Sequence, residues 1–480
     1  MNGRLAACSS ILVLAACAPA EPEGPQGDLV RPNVVVVLTD DQRFDSMGCT
    51  GNPHVETPEL DRLAREGVLY SRSYVVTSLC CPARATLLTG LYTHETGIRS
   101  NSDTGPFLAN ARGFPERLQR VGYRTGFVGK WHIENPLAEP QPGFDYWVSF
   151  EGQGQYENET YNINGEREVL EGFNTDVLTD LAIGFLNEPD TGSFCLILSV
   201  KNLHGPYFPP ERHRRKLLDA TFVEPPSLED PPDSLPAYVR HARTTPRNKF
   251  FDHGGEADRE DYVRGYHQLI YSLDENIGRL RDALEERGVL ENTLILCTSD
   301  GGFLWGEHGM YRKRAAYEPS IRVPLIVRWP AGVAGGLVSD RLVLNIDLAP
   351  TILSLAGAEL PAGLPGRVLP ELGGDGVARG SESGWRTDFL YLDAWRSSVD
   401  GPFEMAVVGE RYKYIRYRWG EIEERLFDLA ADPDERADLS SDPEHQESLF
   451  LHRERLQQLL EENRAPLSWL ESIPLAGEDD

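Results

Sequence analysis

An uninterrupted run of β-branched residues near the N-terminus constrains the fold of this chain more than any other feature. Asn33–Thr39 reads Asn-Val-Val-Val-Val-Leu-Thr, which is typical of a parallel strand covered by other elements on both faces. A helix is predicted next, because Thr57 and Pro58 form a start signal and Gly67 forms a stop signal. A buried strand followed by a helix predicts an α/β layer fold.

The elements predicted downstream continue this alternation. The further predicted strands are Thr125–Val128, Phe194–Val200, Leu294–Thr298 and Leu325–Arg328. The predicted helices are Phe114–Val121, Thr175–Leu186 and Asp261–Arg287. Between them, Gly205–Asp258 is proline-rich and lacks a period, which indicates a loop over an active site.

The composition changes between Gly357 and Ser383. Glycine and proline are frequent there, which indicates a linker. The strands predicted beyond it are Phe389–Asp393, Ala406–Val408, Tyr412–Tyr417 and Leu426–Asp428, and the closing helix is Leu451–Glu461. We therefore predict a larger domain over residues 31–357, a linker over 358–384 and a smaller α+β subdomain over 385–480.

The N-terminus predicts export. Residues 1–16 contain one cation, Arg4, then an apolar run and small residues, the layout of a secretory signal peptide too short to span a bilayer. The sequence ending at Cys17 resembles the lipobox of bacterial lipoproteins, in which the cysteine is lipidated. Residues 17–30 would then tether a lipoprotein to the cell envelope, in the periplasm or at the cell surface. An ordinary cleaved signal with an incidental cysteine is the alternative.

The charge balance narrows the class of ligand. Among 480 residues, 47 lysines and arginines face 75 acidic residues, for a net charge of −28. A surface this acidic repels phosphate backbones, which excludes general nucleic-acid binding. If the substrate is itself an anion, the cations that hold it must be concentrated in one cleft.

Carboxylates follow two of the predicted strands. Asp40 and Asp41 end the first strand, and Asp300 follows Leu294–Thr298. Open α/β sheets bind ligands at such carboxyl edges, and three carboxylates suit calcium or magnesium rather than zinc. A solvated turn or a helix cap is the alternative for the aspartate pair.

The most specific motif is Cys80-Cys81-Pro82-Ala83-Arg84, which opens a short helical run. A vicinal pair of buried or disulfide-bonded cysteines is its structural alternative. Cations and imidazoles occur in three further segments: Gly129-Lys130-Trp131-His132, Asn202-Leu203-His204-Gly205-Pro206, and Gly306-Glu307-His308-Gly309 followed by Lys313. Arg312 and Arg314 flank Lys313, so the sequence leaves open which of these three cations would contact an anionic substrate.

Together these segments resemble the sulfatase family, in family order from Arg31 to the C-terminal helix. The resemblance implies an alkaline-phosphatase-like fold with a large mixed β-sheet flanked by helices and a smaller antiparallel C-terminal subdomain. It implies that a formylglycine-generating enzyme converts Cys80 to formylglycine. It also implies that Asp40, Asp41, Asp300 and Cys80 bind Ca²⁺, with Mg²⁺ the less favoured ion. The family has Asn or His where Gly301 stands, so water would fill that position or metal affinity would fall.

The same resemblance assigns roles in hydrolysis of a sulfate monoester. Arg84 and Lys130 would hold the nucleophile and its charge. Lys313 and His204 would bind sulfate and protonate the leaving oxygen, and His132 would accept the proton of the second hydroxyl. A small or oligomeric carbohydrate sulfate is the favoured substrate. The alternatives are a phosphoester or phosphonate hydrolase on the same scaffold and a non-catalytic surface protein that binds sulfated glycans.

Overall fold

The β-branched run becomes a central strand of a ten-stranded mixed sheet. The strands are β1 (Asn33–Thr39), β2 (Val68–Tyr74), β3 (Arg124–Gly129), β4 (Tyr146–Ser149), β5 (Thr160–Ile163), β6 (Glu166–Val169), β7 (Phe194–Ser199), β8 (Thr293–Ser299), β9 (Leu325–Arg328) and β10 (Leu337–Leu344). Their order across the sheet is β10-β2-β9-β8-β1-β7-β3-β4-β5-β6. The five neighbouring strands from β8 to β4 are mutually parallel, so their carboxyl ends share one edge.

Helices cover both faces of this sheet. The helices of the described ranges are α1 (Pro58–Glu66), α2 (Cys80–Thr89), α3 (Thr93–Thr96), α4 (Phe114–Arg120), α5 (Asn174–Asn187), α6 (Ala237–Thr244), α7 (Arg259–Glu286), α8 (Glu318–Ile321), α9 (Leu348–Leu355) and α10 (Gln446–Glu462). Apolar side chains of α1, α5 and α7 pack on the face that holds Val35 and Val37. Those of α2, α4 and α9 pack on the face of Val34 and Val36. Burial on both faces explains why β1 is continuously apolar.

A second sheet follows near the C-terminus. Its four antiparallel strands are β11 (Asp388–Asp393), β12 (Phe403–Gly409), β13 (Tyr412–Trp419) and β14 (Glu421–Asp428), in that order. Leu456 and Leu460 of α10 belong to the same apolar core as this sheet. The predicted fold class, a large mixed sheet with helices and a smaller antiparallel α+β part, is therefore confirmed.

The computed structural model describes residues 31–103, 113–133, 138–189, 192–244, 259–372, 384–393, 403–419 and 421–470. The predicted signal peptide, the lipidated Cys17, the tether and residues 373–383 of the linker lie outside these ranges. The domain boundaries remain predictions. No helix in the described ranges is long and apolar enough to cross a membrane.

Two local expectations are corrected in part. α1 begins at Pro58 after Thr57, as predicted, but the Thr57 side chain makes no capping bond, because its hydroxyl donates to Asp61 and accepts from the backbone N–H of Gly48. Asp274 on α7 caps the helix instead, accepting from the N–H of Leu60 at 2.8 Å. The segment after Gly205 is not wholly irregular either, since apolar residues at helical spacing bury one side of α6.

Candidate active site

Three carboxylates meet at the carboxyl edge of the parallel strands. Thr39 of β1 pairs with Ser299 of β8, so the residues that follow each strand are neighbours. Asp40, Asp41 and Asp300 are all buried, and the N–H of Asp41 donates to Asp300 Oδ1 at 3.3 Å. Their burial excludes a solvated turn, the structural alternative for the aspartate pair.

Cys80 lies beside this cluster as the first residue of α2. Its Sγ is 3.6 Å from Asp40 Oδ1 and 2.8 Å from Lys313 Nζ. Burial raises the pKa of the Cys80 thiol to about 11, so the unmodified side chain is a protonated thiol at neutral pH. All five cysteines in the described ranges are free thiols, which rules out a Cys80–Cys81 disulfide.

Arg84 lies one turn further along α2 and connects three strand ends. Its Nε donates to Asp300 Oδ2 at 2.7 Å, and its Nη1 donates to the Lys130 carbonyl at 2.6 Å and to Ser199 Oγ at 2.7 Å. Nη2 is buried without a hydrogen-bond partner among the described residues, and it lies 4.0 Å from Asp40. The guanidinium thus keeps one donor available next to the carboxylates.

Two lysines complete the ring of charge. Lys130 Nζ donates to Asp40 Oδ2 and, at 2.5 Å, to Gln153 Oε1. Lys313 Nζ donates to Asp41 Oδ1. Burial raises the pKa of the Asp41 carboxyl to about 7, with additional contributions from the neighbouring aspartates. Desolvation is thus the main reason why Asp41 holds its proton more tightly than an exposed aspartate.

The neighbours of Lys313 face elsewhere. Arg314 pairs with Asp393 at 3.4 Å, and the guanidinium of Arg312 lies 5.6 Å from the Tyr238 ring. Of the three neighbouring cations Arg312, Lys313 and Arg314, Lys313 is consequently the one that contacts the carboxylates and Cys80.

The two predicted imidazoles line the same cluster. His204 Nε2 lies 3.8 Å from Asp41 Oδ2, and its Nδ1 is 2.6 Å from the Gly205 carbonyl. His132 Nε2 is 3.4 Å from Gln153 Nε2, while its buried Nδ1 has no partner among the described residues. Burial lowers the pKa of both rings, and Lys130 lowers them further. Both rings are therefore neutral in the protein without substrate.

Two nearby residues were not predicted from the sequence. Gln153 accepts from Lys130, and the buried Lys201 donates to the Gln153 carbonyl at 3.0 Å. Gln153 lies in an irregular segment after β4 and belongs to no motif. Lys201 lies two residues after the end of β7 and immediately before the recognised Asn202-Leu203-His204 segment, and its position at that strand end was the available signal.

The donor set fits a hard divalent cation. Ligand atoms of Asp40, Asp41, Cys80 and Asp300 all lie within 4.8 Å of one another, and carboxylate oxygens are preferred ligands of Ca²⁺ and Mg²⁺. At Gly301 an added Cβ would lie 3.5 Å from Ser78 Oγ and 3.8 Å from Lys313 Cδ. A small side chain there meets only ordinary contacts.

Exported sugar-binding proteins often stack sugars on aromatic rings, and the sequence offers Tyr156, Tyr161 and Trp305 for this role, but two of the three are structural. Tyr161 is fully buried in the core. Trp305 is buried among tyrosines, with ring centroids 5.0 Å from Tyr266 and 5.5 Å from Tyr207. Tyr156 donates its hydroxyl to the His204 carbonyl at 2.7 Å, and it is the one that lies next to the site.

A mixed α/β sheet with an acidic cluster, a buried cysteine and converging cations at its carboxyl edge defines a class of ester hydrolases, those with the alkaline-phosphatase-like fold. The family model described as Sulfatase matches residues 32–358. A second model, N-sulphoglucosamine sulphohydrolase, C-terminal, matches residues 306–463. The chain belongs to the sulfatase family.

Individual relatives agree with this assignment. N-acetylglucosamine-6-O-sulfatase of Bacteroides thetaiotaomicron is 31% identical over 94% of this chain and 89% of its own length. Human N-acetylglucosamine-6-sulfatase is 32% identical over 75% of this chain and 67% of its length. A solved protein in complex with its substrate D-glucosamine-2-N,6-O-disulfate has a TM-score of 0.82 and 29% identity, covering 90% of this chain and 98% of that chain. These matches identify the chain as a sulfatase.

Proposed function

We propose that this protein hydrolyses the sulfate ester of a carbohydrate, with a 6-O-sulfated glucosamine as the favoured substrate class. The convergence of Cys80 and five charged or imidazole side chains on three buried carboxylates, within a chain of net charge −28, carries the proposal. The names of the relatives and the sugar bound to the solved relative support a carbohydrate sulfate as the substrate.

Two groups complete the proposed site. A formylglycine made from Cys80 by a formylglycine-generating enzyme supplies, when hydrated, one hydroxyl to attack sulfur and a second whose deprotonation expels sulfate. Ca²⁺ held by Asp40, Asp41, Asp300 and residue 80 supplies positive charge for a sulfate oxygen and acidifies the attacking hydroxyl. The unmodified thiol, with its pKa near 11, cannot supply this chemistry at neutral pH.

The protein's own side chains would orient the ester and move protons. Arg84 has its free Nη2 beside Asp40, and Lys130 contacts the same carboxylate, so both are placed to stabilise negative charge on the nucleophile. Lys313 lies 2.8 Å from residue 80 and would bind a sulfate oxygen. An anion at Nε2 of His204 would favour its protonated ring, which then donates to the leaving oxygen.

His132 is placed to accept a proton. Its ring is neutral because burial lowers its pKa. The Gln153 carboxamide accepts from Lys130 through Oε1 and presents its Nε2 donor to His132 Nε2, 3.4 Å away, so Nε2 is the nitrogen without a proton. A neutral imidazole with such a basic nitrogen is the form that a general base requires.

The proposal includes where the protein works. The signal-like N-terminus and Cys17 support an exported lipoprotein of the cell envelope, and that location suits an enzyme that meets sugars outside the cytoplasm. We propose contact with the membrane through a lipid on Cys17 alone, and no nucleic-acid partner.

Sulfate release from N-acetylglucosamine 6-sulfate tests the function. Protein made together with a formylglycine-generating enzyme should release sulfate, and Cys80→Ala should reduce kcat by roughly 10⁴-fold or more. Cys195→Ala, which removes another buried thiol from within β7, is the matched control and should retain activity. Faster turnover of the corresponding phosphate ester would favour a phosphoester hydrolase. Tight sugar binding without turnover would favour the binding protein.

A further inference from the structure

A cavity of about 400 Å³ borders the proposed catalytic site. Its wall includes Tyr156, Lys201 and Phe208. Two of these residues also touch the site: Lys201 Nζ donates to the Gln153 carbonyl, and the Tyr156 hydroxyl donates to the His204 carbonyl. The Gln153 side chain contacts Lys130 and His132, and the residues that follow it, Gly154 to Tyr156, line the cavity. The cavity and the catalytic site are therefore immediate neighbours.

The ammonium of Lys201 is an unusual wall group. The residue is 2% exposed, and its Nζ lies 5.0 Å from the centroid of the Tyr156 ring. No carboxylate in the described ranges lies within ion-pair distance of it; the nearby Glu159 instead accepts from the N–H groups of Gln155 and Thr160. Burial and the charge of Lys130 lower the pKa of Lys201 to about 8. Buried charges are normally paired, so this one has capacity for an anionic ligand.

The other charged groups of the cavity offset one another. Arg214 pairs with Glu157 at 3.3 Å and with Glu211 at 2.9 Å. Phe208 is apolar yet 58% exposed, and it offers a ring face at the cavity wall. Sugar rings present apolar C–H faces that pack against aromatic rings. The cavity thus combines a stacking surface with a single uncompensated cation.

We propose that this cavity is a substrate subsite that receives a second anionic group of the sugar substrate, bound by Lys201, with Phe208 against a sugar face. The inference rests on the proposed carbohydrate sulfatase function and deepens it. The second anion is a sulfate on the same sugar or the carboxylate of a neighbouring uronate. The subsite would make the enzyme prefer substrates that carry more than the scissile sulfate.

Binding to the Cys80→Ala protein tests the subsite without turnover. The probes are glucosamine 6-sulfate, D-glucosamine-2-N,6-O-disulfate, and a disaccharide that joins 6-sulfated glucosamine to a uronate. We expect the protein to bind at least one doubly anionic probe more tightly than the monosulfate. Adding Lys201→Met, which keeps an unbranched side chain over Tyr156, should reduce that preference about tenfold, as expected for one charge-assisted hydrogen bond. The doubly anionic probe whose tighter binding is lost in the Lys201→Met protein identifies the second anion.

Equal weakening of all probes by Lys201→Met would overturn the subsite, because it would mean that Lys201 only positions Gln153. Absence of any preference in the parent protein would overturn it as well. Phe208→Ala should weaken all probes, whereas Phe450→Ala, a comparably exposed ring (56%) on α10, should change none.

The two proposals fail separately. A Lys201-dependent preference in a protein that releases no sulfate would uphold the subsite and overturn the hydrolysis. Sulfate release with no Lys201-dependent preference would uphold the hydrolysis and overturn the subsite.

Discussion

Individual residues set the electrostatics of the carboxylate cluster, and Gly301 stands beside it where the family resemblance implies an asparagine or histidine. Burial and the adjacent aspartates raise the pKa of Asp41 to about 7 even with Lys313 beside it. A divalent cation held by the three carboxylates would favour their ionised forms and lower this pKa. Gly301 offers no side-chain donor to that cation, although a Cβ at this position meets only ordinary contacts.

Restoring a donor at this position should strengthen metal binding. Gly301→Asn adds an amide oxygen near the three carboxylates, and one further oxygen ligand should tighten Ca²⁺ binding about tenfold. Calorimetric titration of chelator-treated protein with Ca²⁺ measures the effect. Gly301→Ala introduces the same Cβ without an oxygen and should leave the affinity unchanged. Equal affinities for the asparagine and alanine variants would contradict a ligand position at 301.

A second residue-scale prediction concerns His267, which is buried away from the carboxylates. Its Nδ1 lies 2.8 Å from the Val263 carbonyl, and its ring stacks on Phe222 at 4.9 Å. Burial lowers its pKa in the folded protein to about 4, against 6.5 in the unfolded chain. Below pH 6.5 the unfolded state binds a proton that the folded state does not, so stability falls as the pH drops from 6.5 to 4.

Denaturant unfolding at several pH values measures this contribution. The difference in the free energy of unfolding between pH 7 and pH 4 should be about 3 kcal/mol smaller for His267→Gln than for the parent protein. The comparison cancels the titration of other groups that the two proteins share. An unchanged pH dependence would show that His267 is protonated at its ordinary pKa in the fold.

At the scale of elements, the central strands β1, β3, β7, β8 and β9 were predicted, whereas β2, β4 and the strands toward the two edges of the sheet were missed. β1 and β9 have the predicted bounds because every residue is buried. β10 was missed because its first five residues are exposed or partly exposed and its pairing with β2 shifts register after Ser339. The short strands β5 and β6 are largely polar. Such strands carry little hydrophobic period, so tertiary pairing determines them.

The same distinction holds for the site. Residues next to strand ends or within the Cys80 motif were predictable, because the sheet brings its carboxyl ends to one edge. Gln153 was not, since no local pattern marks an irregular segment that folds back onto Lys130. Asp274 likewise caps α1 from a distant helix, whereas the local signal at Thr57 predicted where α1 begins but not which side chain caps it.

That tertiary cap should contribute measurably to stability. Asp274→Ala leaves the N–H groups of Glu59 and Leu60 without their acceptor, which should lower the free energy of unfolding by about 1–2 kcal/mol. Asp282→Ala, on the exposed side of the same helix, should change it by less than about 0.5 kcal/mol. Urea unfolding compares the two variants. Similar values for both would argue against Asp274 as the cap.

At the scale of the whole molecule, a net charge of −28 opposes the approach of an anionic substrate. The cations that would bind it are confined to the carboxyl edge of the sheet, beside buried aspartates. Their attraction acts at short range, whereas the repulsion of the surface acts over a Debye length. Long, densely sulfated polymers should therefore enter only by their ends.

Salt dependence tests this balance. Raising the ionic strength from about 10 mM to about 150 mM shortens the Debye length from roughly 30 Å to 8 Å. The kcat/KM for a sulfated monosaccharide should then rise about twofold or more, and that for longer sulfated chains should rise further. A fall in kcat/KM with salt would mean that local cations dominate substrate approach.

The central claim is that Cys80, held among three carboxylates, is the residue converted for catalysis. The most direct test is the mass of the tryptic peptide Ser73–Arg84 from protein that releases sulfate. The account predicts that residue 80 has lost sulfur and two hydrogens and gained oxygen, while Cys81 remains a thiol. Two intact cysteines in an active preparation would contradict it.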